Sequence, residues 1–358
     1  MRWTCFWGFM RSRRGREPRT GTPMAMRKRN GLLLGLALAI VAVWIYNASW
    51  RVAPPEGAQV RLIAHRGVHQ TFRREGLERD TCTAQRIHPP VHDYIENTVR
   101  SMQAAFALGA DVVELDVHPT TDGHLAVMHD WSLDCRTNGQ GATRSHAMPY
   151  LRTLDVGHGY TADNGRTYPL RGTGVGQMPE LSEVFAALPG RQFLVNFKSR
   201  EAREGDMLAA LVAGQPAWRA AVWGVYGGDE PTVRATQALA AQDGGAAPPV
   251  RAWSRRSMAQ CLGRYAALGW TGIVPKACQQ TTVVVPVNLA PWLWGWPHLM
   301  QQRLRAAGSA IVLLGPYEAG DVGSAGIDTL EQLAQVPGGF DGHVWTNRIE
   351  VIGPALRR

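Results

Sequence analysis

At 358 residues, with 45% hydrophobic and 19% charged side chains, the chain can bury a full core as one large domain or two modest ones. Its net charge of +9 is unevenly placed: residues 1–30 hold nine Arg or Lys and one acid, Glu17 (+8), and the other 328 residues hold 29 bases and 28 acids (+1). A nearly neutral body excludes the usual electrostatic footprint of nucleic-acid binding, so no nucleic-acid partner is expected, and no protein partner is predicted either.

In chain order, residues 1–30 read as a basic cytoplasmic tail, with Met24 and Met26 as alternative starts. Residues 31–50 are uncharged and apolar, preceded by Arg27, Lys28 and Arg29 and ended by Trp44, Tyr46 and Trp50. As a helix rising about 1.5 Å per residue, this stretch spans roughly 30 Å, one bilayer core. It is expected to be a transmembrane signal-anchor with the N-terminus cytoplasmic and the body periplasmic or extracellular. A cleaved signal peptide is the alternative, weakened by bulky residues where a small-residue cleavage site belongs. Residues 51–60, with Pro54 and Pro55, read as a linker.

From residue 61 to the end a single domain is expected. Residues 61–64 form a short apolar strand ending at His65-Arg66-Gly67, and a polar loop follows to Tyr94. Asn97 or Thr98 caps a helix in which Val99, Met102 and Phe106 recur at helical spacing. Strands are expected at 111–117 and 125–128, separated by a turn through Asp122-Gly123. Residues 131–178 lack periodicity and are too long for an idle loop, so they are expected to carry small elements or a function. Pro179 opens a helix, and strands at 193–198, 221–226, 250–254, 283–288, 310–315 and 343–347 then alternate with helical stretches. Repeated strand–helix units of this number predict an α/β fold of the TIM-type (β/α)8 barrel class. In an oxidising compartment Cys82, Cys135, Cys261 and Cys278 can form two disulfides. Cys82–Cys135 with Cys261–Cys278 is favoured among the three pairings, because each joins loops that the barrel brings together.

The polar residues fall at strand ends, where barrel active sites collect. Glu114 and Asp116 are two residues apart on one strand and so point to the same face. Two carboxylates aimed together from an apolar run repel each other unless a hard divalent cation relieves them; two surface acids on an exposed strand is the plainer alternative, disfavoured by the flanking Val112, Val113, Leu115 and Val117. His65 and His129 can exchange protons near neutral pH, and Arg66 and Lys198 carry fixed charge suited to a phosphate.

His65-Arg66-Gly67, Glu96-Asn97-Thr98, Glu114-Leu115-Asp116-Val117, Thr121-Asp122-Gly123 and His129-Asp130 together resemble the glycerophosphodiester phosphodiesterase family. Thr346-Asn347-Arg348 resembles the family's last-strand ending more weakly. The resemblance implies a phosphodiesterase-superfamily barrel that hydrolyses glycerophosphodiesters or lysophospholipids and releases an alcohol headgroup. It makes His65 and His129 the acid–base pair, places Arg66 and Lys198 on the substrate phosphate, and gives Glu96 and Asn97 supporting roles. It places one divalent metal ion, Ca2+ or Mg2+, on Glu114 and Asp116. The family's third metal ligand is a Glu two residues before the Lys; Asn196 stands there, keeping an oxygen donor and losing a charge. A phospholipase D acting on intact lipid, and a catalytically decayed binding barrel, are the competing functions. Trp292, Trp294 and Trp296 are read as a hydrophobic cover for the barrel or an aromatic rim touching lipid, and Gly172–Gly174–Gly176 only superficially as a phosphate loop.

Overall fold

The computed structural model describes residues 23–78, 81–244, 250–320 and 325–357. The first 22 residues, with Cys5 and most of the basic tail, lie outside the described residues. The chain divides into two units at Tyr46/Asn47.

The first unit is a helix, Pro23–Tyr46. Its segment Arg27–Tyr46 is long and apolar enough to cross a membrane, and Leu32, Leu36 and Ile40 are exposed. The helix stops short of residue 50. Asn47 and Ala48 are buried in the second unit, where the Asn47 amide donates to the Trp270 carbonyl (2.9 Å) and Arg303 donates to Asn47 Oδ1 (2.9 Å).

In the second unit nine strands form one sheet: β1 (Val60–His65), β2 (Val112–Pro119), β3 (Leu125–Val127), β4 (Gln192–Phe197), β5 (Val222–Gly227), β6 (Arg251–Ser254), β7 (Thr282–Pro286), β8 (Ala310–Leu314) and β9 (Gly342–Thr346). Eight run parallel in the order β6-β5-β4-β2-β1-β9-β8-β7. The ladder is open between β6 and β7, where the Thr281 hydroxyl donates to the Ala252 carbonyl (2.7 Å). This is the expected (β/α)8 barrel with one difference. Residues 125–127 do not join the wall: β3 turns back antiparallel on the end of β2, because the tight turn through Gly123 (φ 86°) leaves no room for a crossover helix.

Alternation along the wall sorts side chains into inside and outside. Outward Leu62, Ala64, Val113, Leu115, Phe193 and Val195 pack against the helices. Inward Ile63, Val112, Leu194, Trp223, Trp253, Val284, Val312 and Trp345 fill the middle of the barrel. Each such buried apolar side chain contributes about 1.5–3 kcal/mol. Two residues further along the same faces come His65 from Ile63, Glu114 from Val112, Asn196 from Leu194 and Asn347 from Trp345. Two residues back come Arg61, Arg251 and His343. The barrel therefore has a polar layer at each mouth and an apolar layer between them.

Residues 131–178 do build elements of their own. Leu133, Met148, Leu151, Leu154 and Tyr160 make a second small core, tied by the Cys82–Cys135 disulfide. Asp155 accepts the amide N–H groups of Gly157, Gly172 and Gly174 (2.9, 2.6 and 3.0 Å), so this glycine stretch is a structural turn. The second disulfide is Cys261–Cys278. Both pairings are the favoured ones. Of the three tryptophans, Trp294 and Trp296 pack on the core and Trp292 is exposed.

Candidate active site

The C-terminal strand ends bring the predicted residues together. Glu114 and Asp116 are fully buried on the inner face of β2, and all four of their oxygens meet protein groups. Glu114 Oε1 accepts from the Tyr226 hydroxyl (2.6 Å) and Oε2 from the Arg66 amide N–H (3.2 Å). Asp116 Oδ1 accepts from Asn196 Nδ2 (2.8 Å) and Oδ2 from Asn97 Nδ2 (3.0 Å). Burial, reinforced by the charge of Asp116, pushes the Glu114 carboxyl up. For Asp116, burial acts the same way but Lys198 and Arg66 outweigh it, and its carboxyl is held down.

Arg66 follows β1 in the left-handed region (φ 58°), and the HRG glycine explains how the chain gets away from it. Gly67 has φ 80°, and a Cβ there would sit 2.6 Å from Ser101 Oγ. The turn sends the Arg66 guanidinium back over the carboxylates. Its Nη1 donates to Glu96 Oε1 (3.0 Å), and its Nε lies 3.2 Å from Asp116 Oδ2 without a hydrogen-bonding alignment. Lys198, just past β4, puts Nζ 3.9 Å from Asp116 Oδ1. Asn97, also left-handed (φ 59°), both donates to Asp116 and accepts its amide N–H (3.2 Å). Its neighbour Thr98 caps the helix Val99–Ala107.

Each histidine is held from behind. His65 Nδ1–H donates to Asn347 Oδ1 (2.6 Å), and the Asn347 amide in turn donates to Asp328 Oδ2 (2.9 Å). His65 Nε2 then faces inward, 3.8 Å from Glu114 Oε2. His129 Nδ1–H donates to Asp130 Oδ1 (2.6 Å). Burial lowers the proton affinity of both rings well below the ordinary imidazole range, with Arg66 the next cause for each. Their Nε2 atoms are thus lone-pair acceptors in the resting site.

Arg136 was not singled out in the sequence, and it joins both halves of the site. Buried beside the Cys82–Cys135 bridge, it donates from Nε to Asp130 Oδ2 (2.8 Å), and from Nη1 to Glu96 Oε2 (3.0 Å) and the Tyr160 hydroxyl (2.6 Å). For Glu96, burial would raise the carboxyl, but Arg136 and Arg66 hold it at about 2. Tyr226 and Asp328 were also missed. Arg136 in its loop and Tyr226 near the end of β5 carry no local pattern of their own; Arg136 following a disulfide cysteine was the available signal.

The donor set suits a hard cation. Two adjacent carboxylates, one pushed up by burial and by the charge of the other, lie beside the Asn196 amide. Space for its oxygen exists only because residue 227 is glycine (φ 120°): a Cβ there would come within 2.9 Å of Asn196 Oδ1. Among the described residues no third His, Cys, Asp or Glu completes the set. The ligands would be Glu114, Asp116 and the Asn196 oxygen, a site of lower charge than three carboxylates make.

Residues 65–211 match the model of the Glycerophosphoryl diester phosphodiesterase family. A glycerophosphodiester phosphodiesterase of Caldanaerobacter subterraneus is 37% identical over 103 residues, which are 29% of this chain and 39% of that protein. A lysophospholipase D of Rattus norvegicus is 31% identical over 135 residues, 36% of this chain and 40% of that protein. The chain thus spans about two fifths of the length of these curated relatives. In structure, the glycerophosphoryl diester phosphodiesterase domain of an uncharacterized Mycobacterium tuberculosis protein superposes with a TM-score of 0.56 at 16% identity, covering 84% of this chain and 98% of that one, a likeness of fold. The likeness of this chain to the Glycerophosphoryl diester phosphodiesterase family is thus carried by residues 65–211.

Proposed function

We propose that this chain is a metal-dependent phosphodiesterase that cleaves glycerophosphodiesters, or lysophospholipids with the same phosphodiester, and releases the alcohol headgroup. The observation that carries the reading is the flanking of one buried carboxylate pair by two imidazoles, each with Nδ1 engaged from behind and Nε2 left to act. Arg66 and Lys198 supply charge for the phosphoryl oxygens, and Arg66 Nε is buried without a hydrogen-bond acceptor. A divalent cation, when bound by Glu114, Asp116 and Asn196, adds Lewis acidity at those oxygens.

The two histidines differ in what stands behind them. A formal charge stands behind one ring only: Asp130 is an acid behind His129, whereas Asn347, whose hydrogen bond also favours a proton on His65, is a neutral amide. His129, protonated as the anionic substrate enters, is therefore the proton donor to the leaving alcohol oxygen. His65 Nε2 takes the proton of the attacking hydroxyl, from water or the substrate's own glycerol. One P–O bond forms as the other breaks, and each ring changes by one proton. Each such proton-transfer role is worth about 10²–10⁴-fold.

The apolar helix Arg27–Tyr46 supports a membrane-anchored form, and the two disulfides support a barrel outside the cytoplasm. Anchoring brings lysophospholipids within reach, in line with the rat relative's name. A panel of glycerophosphodiesters and lysophospholipids, with calcium, magnesium or chelator, tests the function on wild type and His65→Ala. Turnover that is chelator-sensitive and abolished by His65→Ala is expected; turnover unaffected by both would refute it.

A further inference from the structure

The mouth opposite the catalytic residues is also chemically equipped. A cavity of about 330 Å³ opens there, at the N-terminal strand ends, and Arg61, Arg251 and His343 line it. A second hollow of about 650 Å³ shares these three residues. All three project inward, each two residues before a member of the apolar middle layer: Ile63, Trp253 and Trp345. They are separated from the catalytic groups by that layer and belong to a different site.

The charge at this mouth is unbalanced. Arg61, Arg191, Arg251, Arg305 and Arg357 line the two hollows, against Asp341 and Asp111. Asp341 is shared between Arg61 (3.1 Å) and Arg305, and Asp111 Oδ2 is taken by the Leu62 amide N–H (2.7 Å). Arg251 has no carboxylate partner among the described residues; it lies 4.9 Å from the Trp223 ring centre and is close enough to Arg61 to be destabilised by it. His343 is only 4% exposed, packs edge-on to Trp223 at 4.6 Å, and its Nδ1 has no hydrogen-bond partner. Two guanidinium groups that repel each other and an unpartnered buried imidazole nitrogen share one hollow. A group with several acceptor oxygens and negative charge satisfies all three.

We propose that this second mouth binds a phosphate-class oxyanion between Arg61 and Arg251, with His343 at its inner wall. Free phosphate and the headgroup phosphate of an anionic lipid offer the same chemistry. The site is independent of the catalytic reading.

Arginine labelling by phenylglyoxal, mapped by mass spectrometry, reads Arg251 separately from Arg66. The full chain is held in nanodiscs of phosphatidylcholine, with or without inorganic phosphate, and in equimolar phosphatidylcholine and phosphatidylglycerol without phosphate. Arg166, exposed on a distant loop, is the internal control. At roughly ten times Kd only about one site in eleven is free, so labelling of Arg251 should slow about tenfold while Arg166 is unchanged. Protection by phosphate in the neutral discs identifies the soluble ion as a ligand; protection by phosphatidylglycerol alone identifies the lipid. In either case Arg61→Gln should remove the protection of Arg251. Equal labelling of Arg251 in all three preparations, or protection that survives Arg61→Gln, would overturn the proposal.

Discussion

Asp130 Oδ1 accepts the Nδ1–H of His129 at 2.6 Å, while its other oxygen is held by Arg136 Nε at 2.8 Å. The carboxyl group is thus fixed between a ring it orients and the Arg136 guanidinium. Asp130→Asn keeps the shape and removes the charge, so His129 holds its proton less tightly. We expect kcat to fall by about 10²-fold or more with KM little changed. The alkaline limb of the pH–rate profile, which needs His129 protonated, should move to lower pH. An unmoved limb would mean that His129 is not the proton donor.

Arg136→Met tests the link from the disulfide-bonded loop to the catalytic groups. Arg136 neutralises Glu96 and Asp130 in a buried setting, and removing one partner of a buried pair costs about 3–5 kcal/mol. Chemical denaturation should show a loss of that order. Activity of the remaining folded protein should fall through kcat, since both His129 and Arg66 lose their support.

Asn196→Glu restores a third negative charge beside Glu114 and Asp116. Under the proposed ligand set, calorimetric titration with calcium should show roughly tenfold or tighter binding, because ligand charge sets affinity for hard cations. No new substrate should be accepted. Unchanged affinity would remove residue 196 from the ligand set.

Glu204 gives a pH-dependent contribution to stability away from the reaction. Burial pushes its carboxyl up to about 7, although it accepts the amide N–H groups of Glu201 (2.8 Å) and Ser199 (3.2 Å). The folded state binds this proton more tightly than the unfolded chain, whose Glu titrates near 4.5. The stabilisation is complete below the unfolded value and is lost as pH rises through about 7. Urea midpoints should fall across that window in wild type, and the fall should be smaller in Glu204→Gln.

The eight wall strands were legible because parallel barrel strands are short apolar runs flanked by turns. The strands found at 192–197 and 310–314 lie within a residue of their expected places. Residues 125–127 read as a ninth equivalent strand because a local apolar run carries no sign of its direction. His65, Arg66, Glu114, Asp116 and Lys198 were legible from their positions at strand ends. Asp130 was noticed as a strand-end acid, but its tie to Arg136 was not. Arg136, Tyr226 and Asp328 act through contacts 6 to 112 residues apart in sequence, and no local pattern encodes such contacts. The inward Arg61, Arg251 and His343 were hidden for another reason: a charged residue at the start of a strand looks like an ordinary solvated end.

Trp223, Trp253 and Trp345, with the aliphatic side chains around them, form a dry bulkhead across the barrel. The buried side chains of this layer stand between the charged groups of the two rims. Alterations to the charge at either rim can therefore accumulate without disturbing the chemistry opposite, which leaves each end of the scaffold free to specialise on its own.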